Sequence, residues 1–190
     1  MKTSPTVPSS ARTTHVPPGT AIHATLPGAH FSNAYEVADQ HPARSALQSW
    51  LDVACRTPLW TRALMGVRNK AVRLVGLKDL GQLHDGNPPA SGRVLRDARS
   101  YQVGDRVGIF RIRHLSDMEV VMGQDDKHLD VQVSICKQPP AAAGAAPTVV
   151  LSTVVHIHNT LGHAYMAVVT PFHRVIARGT AQRLAGHDQS

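Results

Sequence analysis

TVVLSTVVHIHNTLGHAYMAVVTPFHRVI, residues 148–176, is the stretch that decides the fold. Up to His158 it is rich in β-branched residues with the period of a strand. After Asn159 the apolar residues recur every three or four positions: Leu161, Tyr165, Val168, Phe172, Val175 and Ile176. That spacing predicts a helix from about 160 to 184 with its apolar stripe turned inward. Asn159 stands where a side-chain oxygen can accept from the free amides of the first turn. Pro171 lies inside the helix and predicts a kink there.

Working outward, the period of two continues upstream. Residues 106–115, 118–123 and 129–137 read as three more strands, the first two joined by a tight turn at Ser116-Asp117. In LDVQVSICK (129–137), Leu129, Val131, Val133 and Ile135 share one face while Asp130, Gln132 and Ser134 share the other. This is the pattern of a half-buried antiparallel strand. QPPAAAGAAP (138–147) is a low-complexity loop between strands.

The N-terminal half reads as helical. Leu47, Trp50, Leu51 and Ala54 make an amphipathic stripe within 43–56, with Pro42 suited to the first helical position. Residues 59–76 predict a second helix with Trp60, Ala63, Leu64, Val67, Ala71 and Leu74 on one side and Arg62, Lys70 and Arg73 roughly opposite. Residues 77–100 form a long connection, and 21–38 a short strand with an irregular approach. Residues 1–20, rich in Ser, Thr and Pro, read as a disordered tail without a secretory signal, and 186–190 as a second tail. Residues 21–185 are thus expected to form one α+β domain: an antiparallel sheet, two short helices and a long, Pro-kinked C-terminal helix gathered on one face.

Composition narrows the function classes. The chain has 190 residues, 42% of them hydrophobic and 4% aromatic, and a formal net charge of +7. Two cysteines, Cys55 and Cys136, exclude a disulfide scaffold and a four-cysteine zinc site. Seven basic and two acidic residues fall within 43–80, so most of the surplus belongs to the helical segment. Few aromatics and no recognisable module argue against nucleic-acid binding. No apolar run reaches the length of a membrane span, and a cytoplasmic protein is expected. There is no glycine-rich phosphate loop, Gly-x-Ser-x-Gly elbow or Cys-x-x-Cys.

Three stretches carry a resemblance: RALMGVRNKAVRLVGLK (62–78), GQDDKHLDVQVS (123–134) and VVHIHNTLGHAYMAVVTPFHRVIAR (154–178). They resemble an uncharacterised bacterial family, domain of unknown function 2867, from about Leu26 to Ala185. The matching residues are Asp125, Asp126, His128, Leu129 and Asp130, then His158, Asn159, Gly162, Tyr165, Pro171, Phe172 and His173. Gln124, Val131 and His163 stand where Glu, Phe and Arg are expected. The family is similar to the START-like (SRPBCC) helix-grip superfamily, whose members hold an apolar ligand between sheet and terminal helix. The resemblance implies a helix-grip fold and, through it, a small apolar or amphipathic ligand such as a lipid.

The candidate residues divide three ways. Tyr165, Val168, Phe172, His158 and His173 are the candidates for lining a ligand cavity; the same apolar positions equally suit a filled core. Asp126, His128 and Asp130 are the catalytic candidates for a cyclase or hydrolase, with His128 as a base oriented by either carboxylate; the same alternation is what a polar outer strand face produces. Trp60, Arg62, Lys70 and Arg73 are candidates for contact with an anionic membrane surface, or for a solvated helix face. His156, His158 and His163 lack a familiar ligand spacing, so no metal and no cofactor is expected. The leading expectation is a binding protein rather than an enzyme.

Overall fold

The structure is a computed structural model and describes residues 10–54 and 97–186. Seven strands form one antiparallel sheet: β1 (Arg12–Thr14), β2 (Phe31–Ala38), β3 (Arg106–Val107), β4 (Phe110–Leu115), β5 (Glu119–Asp125), β6 (Leu129–Gln138) and β7 (Thr148–Ile157). Their order across the sheet is β1-β2-β7-β6-β5-β4-β3. Among the described residues two α-helices, α1 (Ala46–Ala54) and α2 (Thr160–Leu184), share one face of that sheet. The α+β class and the long terminal helix are as the periodicity predicts.

Several boundaries differ from expectation. Residues 12–14 are expected in a tail, yet they form an edge strand opposite Ala34–Glu36. Three residues are too short to display a period. The expected single strand 106–115 is two strands, because Gly108 (φ 63°) turns the chain back so that Val107 pairs with Phe110. The strand within 21–38 occupies its second half; His23–Thr25 is a turn of 3-10 helix. Pro42 is not at a helix start. It sits in a turn, and α1 begins at Ala46 after Ser45, whose Oγ accepts from Gln48 N at 3.2 Å. Leu47 and Leu51 of the expected stripe are buried, but Val53 rather than Ala54 completes it. The helix expected over 59–76, and with it Cys55, lies outside the described residues.

The two faces of the sheet are covered differently. Toward the helices, Val37, Val120, Met122, Ile135, Val149 and Leu151 pack on Leu47 and Leu51 of α1 and on Ala177, Ala181 and Leu184 of α2. On the opposite face, Ala34, Val121, Val150 and Val154 pack under Val16, Ile22 and Leu26 of the segment that precedes β2. Glu119 pins that segment. Its carboxylate, 6% exposed, accepts from Ala21 N (2.7 Å), Ile22 N (3.1 Å) and Ser134 Oγ (2.9 Å). A buried carboxylate is tolerable because three donors replace its water.

A buried ion pair closes one end of the helix face. Lys137 and Asp39 approach to 3.0 Å, each with a side chain 4% exposed. Lys137 Nζ also donates to the carbonyls of His41 (2.8 Å) and Arg44 (2.6 Å), which ties the turn before α1 to β6. Beside it, a cleft of about 230 Å³ between α1 and the end of α2 is lined by Asp39, His41, Arg44, Asp52 and Arg183 among others. Its charges are used internally: Arg44 pairs with Asp52 at 2.6 Å, and Asp39 with Lys137.

Candidate functional site

α2 begins as expected. Asn159 Oδ1 accepts from Gly162 N at 3.1 Å, and the helix continues for 25 residues through Pro171. Its inward line differs from the predicted one. Gly162, Tyr165, Met166, Ala177, Ala181 and Leu184 are the buried positions. Val169 and His173 fall on the same line at helical spacing. Val168 and Phe172 are half-buried, and Val175, expected in the stripe, is 55% exposed. The helix is therefore rotated so that a histidine rather than Phe172 meets the sheet.

That rotation creates a polar break between two apolar clusters. Near the start of α2, Tyr165 and Met166 pack on Leu129 and Val155, with Phe31, Val131 and Val169 at their margin. Near its end, Ala177, Ala181 and Leu184 join α1 and the main core. Between them α2 crosses β2. The Phe31 ring meets the His173 ring edge-on, with centroids 5.7 Å apart and planes at 78°. Tyr35 donates its hydroxyl to the Arg174 carbonyl at 3.5 Å. Asn33 lies between Phe31 and Tyr35 on the same side of β2, and so beneath the same turn of α2. Its register partner Thr153 is 2% exposed.

The polar atoms at this crossing are stranded. Asn33 Oδ1, Asn33 Nδ2 and His173 Nε2 are all buried without a hydrogen-bond partner. Burial pushes the His173 imidazole down to about 4, so it is neutral at physiological pH. Native interiors leave few such groups unsatisfied, and each costs about 1–3 kcal/mol. Asn33 was legible as an anomaly: in FSNAYEVA it is the one amide on the face that carries Phe31, Tyr35 and Val37. Periodicity assigns the strand but does not flag the exception.

The catalytic candidates do not assemble. Asp126 and His128 both precede β6, so the alternation expected to put Asp126, His128 and Asp130 on one strand face does not exist. Asp126 Oδ1 instead accepts from His128 N (2.6 Å) and Leu129 N (3.0 Å) and shapes the turn. His128 is 7% exposed and shares its Nδ1 with Asn159 Oδ1 at 3.2 Å, while Asn159 Nδ2 donates to the Lys127 carbonyl. These bonds lock the β5–β6 turn to the first turn of α2. The lock is close: a Cβ on Gly162 would overlap the His128 carbonyl and stand 2.7 Å from Ile157 Cγ2.

Asp130 faces the other way, toward Arg113. The register of β4 on β5 shifts between Ile112 and His114, so Arg113 is the extra residue of a bulge. Its side chain lies across Gly123, where a Cβ would overlap the guanidinium, and reaches Asp130 with two bonds of 2.8 and 2.6 Å. That bidentate bond to Asp130 raises the Arg113 pKa further above its ordinary value.

The remaining histidines are dispersed. His158 is exposed and meets Asp125 at 3.2 Å; it lies at the mouth of the strand-helix corner, not in the seam with His173. His156 Nε2 contacts the Pro27 carbonyl at 3.2 Å, and His163 stacks edge-on against His30. Among the described residues no three His, Cys, Asp or Glu side chains converge as metal ligands. Burial pushes the Cys136 thiol up to about 11, which leaves it protonated and unreactive. Trp60, Arg62, Lys70 and Arg73 lie outside the described residues. Among the described residues, no helix is long and apolar enough to cross a membrane.

Residues 25–180 match the family described as Protein of unknown function (DUF2867). The chain belongs to that family. The match spans β2 through most of α2, and so includes the whole crossing of Asn33, Phe31 and His173. No curated protein and no solved structure matches the chain.

Proposed function

We propose that this family member binds a small apolar or amphipathic ligand between its sheet and α2, and that it acts as a binding protein in the cytoplasm. The observation that carries the reading is the stranded trio of Asn33 Oδ1, Asn33 Nδ2 and His173 Nε2 between two apolar clusters. Placing unpaired polar atoms at a helix-sheet seam weakens the fold, and a ligand that pairs with them recovers the loss. The apolar cluster on one side, with Phe31, Val131, Tyr165 and Val169, suits a hydrocarbon body. Pro171 supplies the means of access. It has no N–H to donate to the Ala167 carbonyl, so α2 is weakest in the turn that covers Asn33.

The layout also supports the START-like helix-grip assignment. The first long strand pairs with the last one, a helix lies between them in sequence, and the terminal helix returns across the face they share.

Native mass spectrometry of the purified full chain tests the reading, together with displacement of a fluorescent apolar dye by medium-chain lipids. A co-purifying small mass, or saturable displacement that is lost in His173→Trp, is the expected result. A bare chain that takes up neither dye nor lipid overturns it.

A further inference from the structure

Granted binding in the seam, the atoms there dictate what the buried end of the ligand is. We infer that it is an uncharged group with a hydrogen-bond donor and an acceptor side by side, as in a carboxamide or a lactam. The inference rests on the binding site proposed above and on three further observations.

The first is the shape of the unmet demand. The Asn33 amide presents one acceptor and one donor along a single edge, and both are unpartnered. An amide edge of the ligand satisfies both at once in a paired ring of two hydrogen bonds. An alcohol has one oxygen for the two positions. The second is the absence of a counter-charge. The three rows of sheet residues around Asn33 are Phe31–Val155–Val131–Gln124, Asn33–Thr153–Val133–Met122 and Tyr35–Leu151–Ile135–Val120. None of these residues is charged. On α2 the inward residues above them are Tyr165, Met166, Val169, His173 and Ala177. The nearest cation on the same sheet face, Lys137, is held by Asp39 and two carbonyls. None of these sheet residues, nor the inward residues of α2, supplies a cation to a carboxylate or phosphate buried between them. The third is His173 itself. Its neutral ring offers Nε2 as one more acceptor or donor, according to tautomer, and not as a positive charge.

Three probes with the same alkyl chain separate the possibilities: octanamide, octanoate and 1-octanol, titrated into the full chain at pH 7.5 by calorimetry. Octanamide is expected to bind about tenfold more tightly than octanoate, the equivalent of one hydrogen bond to a buried group. In Asn33→Leu that preference should vanish while 1-octanol still binds. His173→Phe, which also removes an orphan polar atom, should shrink the preference without abolishing it. Octanoate binding as tightly as octanamide overturns the inference and leaves the seam as the site. A tenfold preference that survives Asn33→Leu overturns the role of Asn33. If none of the three probes binds, the site itself is wrong.

Discussion

Lowering the pH should unfold this protein through His173. The ring packs edge-on against Phe31 with its Nε2 buried, and its pKa is pushed from an ordinary 6.5 to about 4 by loss of solvation. The unfolded chain therefore takes up a proton in a range where the folded chain does not. Above about pH 7 neither state is protonated at this site and the effect is nil. As the pH falls below 6.5 the unfolded state is favoured progressively, and the loss levels off below about pH 4, where both states carry the proton. At about 1.4 kcal/mol per unit, the shift is worth roughly 3 kcal/mol when complete, and about 1 kcal/mol by pH 5.5. Urea midpoints measured between pH 7.5 and 4.5 give the total acid effect. The same series in His173→Phe isolates this residue, because the replacement cannot titrate. The two stability curves should run parallel above pH 7, and below 6.5 the wild type should fall faster, so that the difference between them changes by roughly 3 kcal/mol toward pH 4. Curves that stay parallel down to pH 4.5 would refute the burial of an unpaired, neutral His173.

Three further outcomes follow from contacts elsewhere. Gly162→Ala places a methyl against the His128 carbonyl and Ile157 and should destabilise the fold by about 2 kcal/mol, read as a lower urea midpoint. Lys137→Met leaves Asp39 buried without its cation and should destabilise by about 3–5 kcal/mol, whereas Lys137→Met with Asp39→Leu should recover part of the loss. Glu119→Ala removes the acceptor for Ala21 N, Ile22 N and Ser134 Oγ, so the segment over 16–29 should become cleavable by proteases under conditions that leave the wild type intact.

How much of this was legible in the sequence depends on how far each feature is a pattern. β5, β6 and β7 were, because each is a run of seven or more residues rich in β-branched side chains. The half-buried face expected for residues 129–137 was not borne out, since the segment before β2 covers that face and Gln132 and Ser134 are buried too. α2 was legible, from its cap at Asn159 to its end near Leu184. β1 was not, since three residues hold no period, and Gly108 divides a run that otherwise reads as a single strand. The rotation of α2 was misjudged for a different reason. Two stripes compete there, and the more apolar one, through Val168, Phe172 and Val175, is the one turned partly to solvent. What decides is the sheet beneath, which meets the helix with Phe31 and Asn33. A local pattern contains no information about its partner 140 or so residues away. For the same reason Asp126, His128 and Asp130 read as a unit in sequence and part company in space: a strand that starts at Leu129 separates a turn residue, a corner residue and a face residue.

The strand order has a consequence for how the chain is made. β2 has only the short β1 on one side, and on the other it needs β7, whose residues follow more than a hundred positions later: Ala38 pairs with Thr148 and Phe31 with Val155. On a ribosome, β2 emerges with Phe31, Tyr35 and Val37 ready to be covered and must wait for nearly all of the domain before its partner appears. Pairings of such long reach fold slowly, because the entropy of closing the intervening loop comes before any reward. During synthesis the vulnerable part of this protein is thus its earliest long strand, an unpaired apolar edge for as long as β7 is unmade.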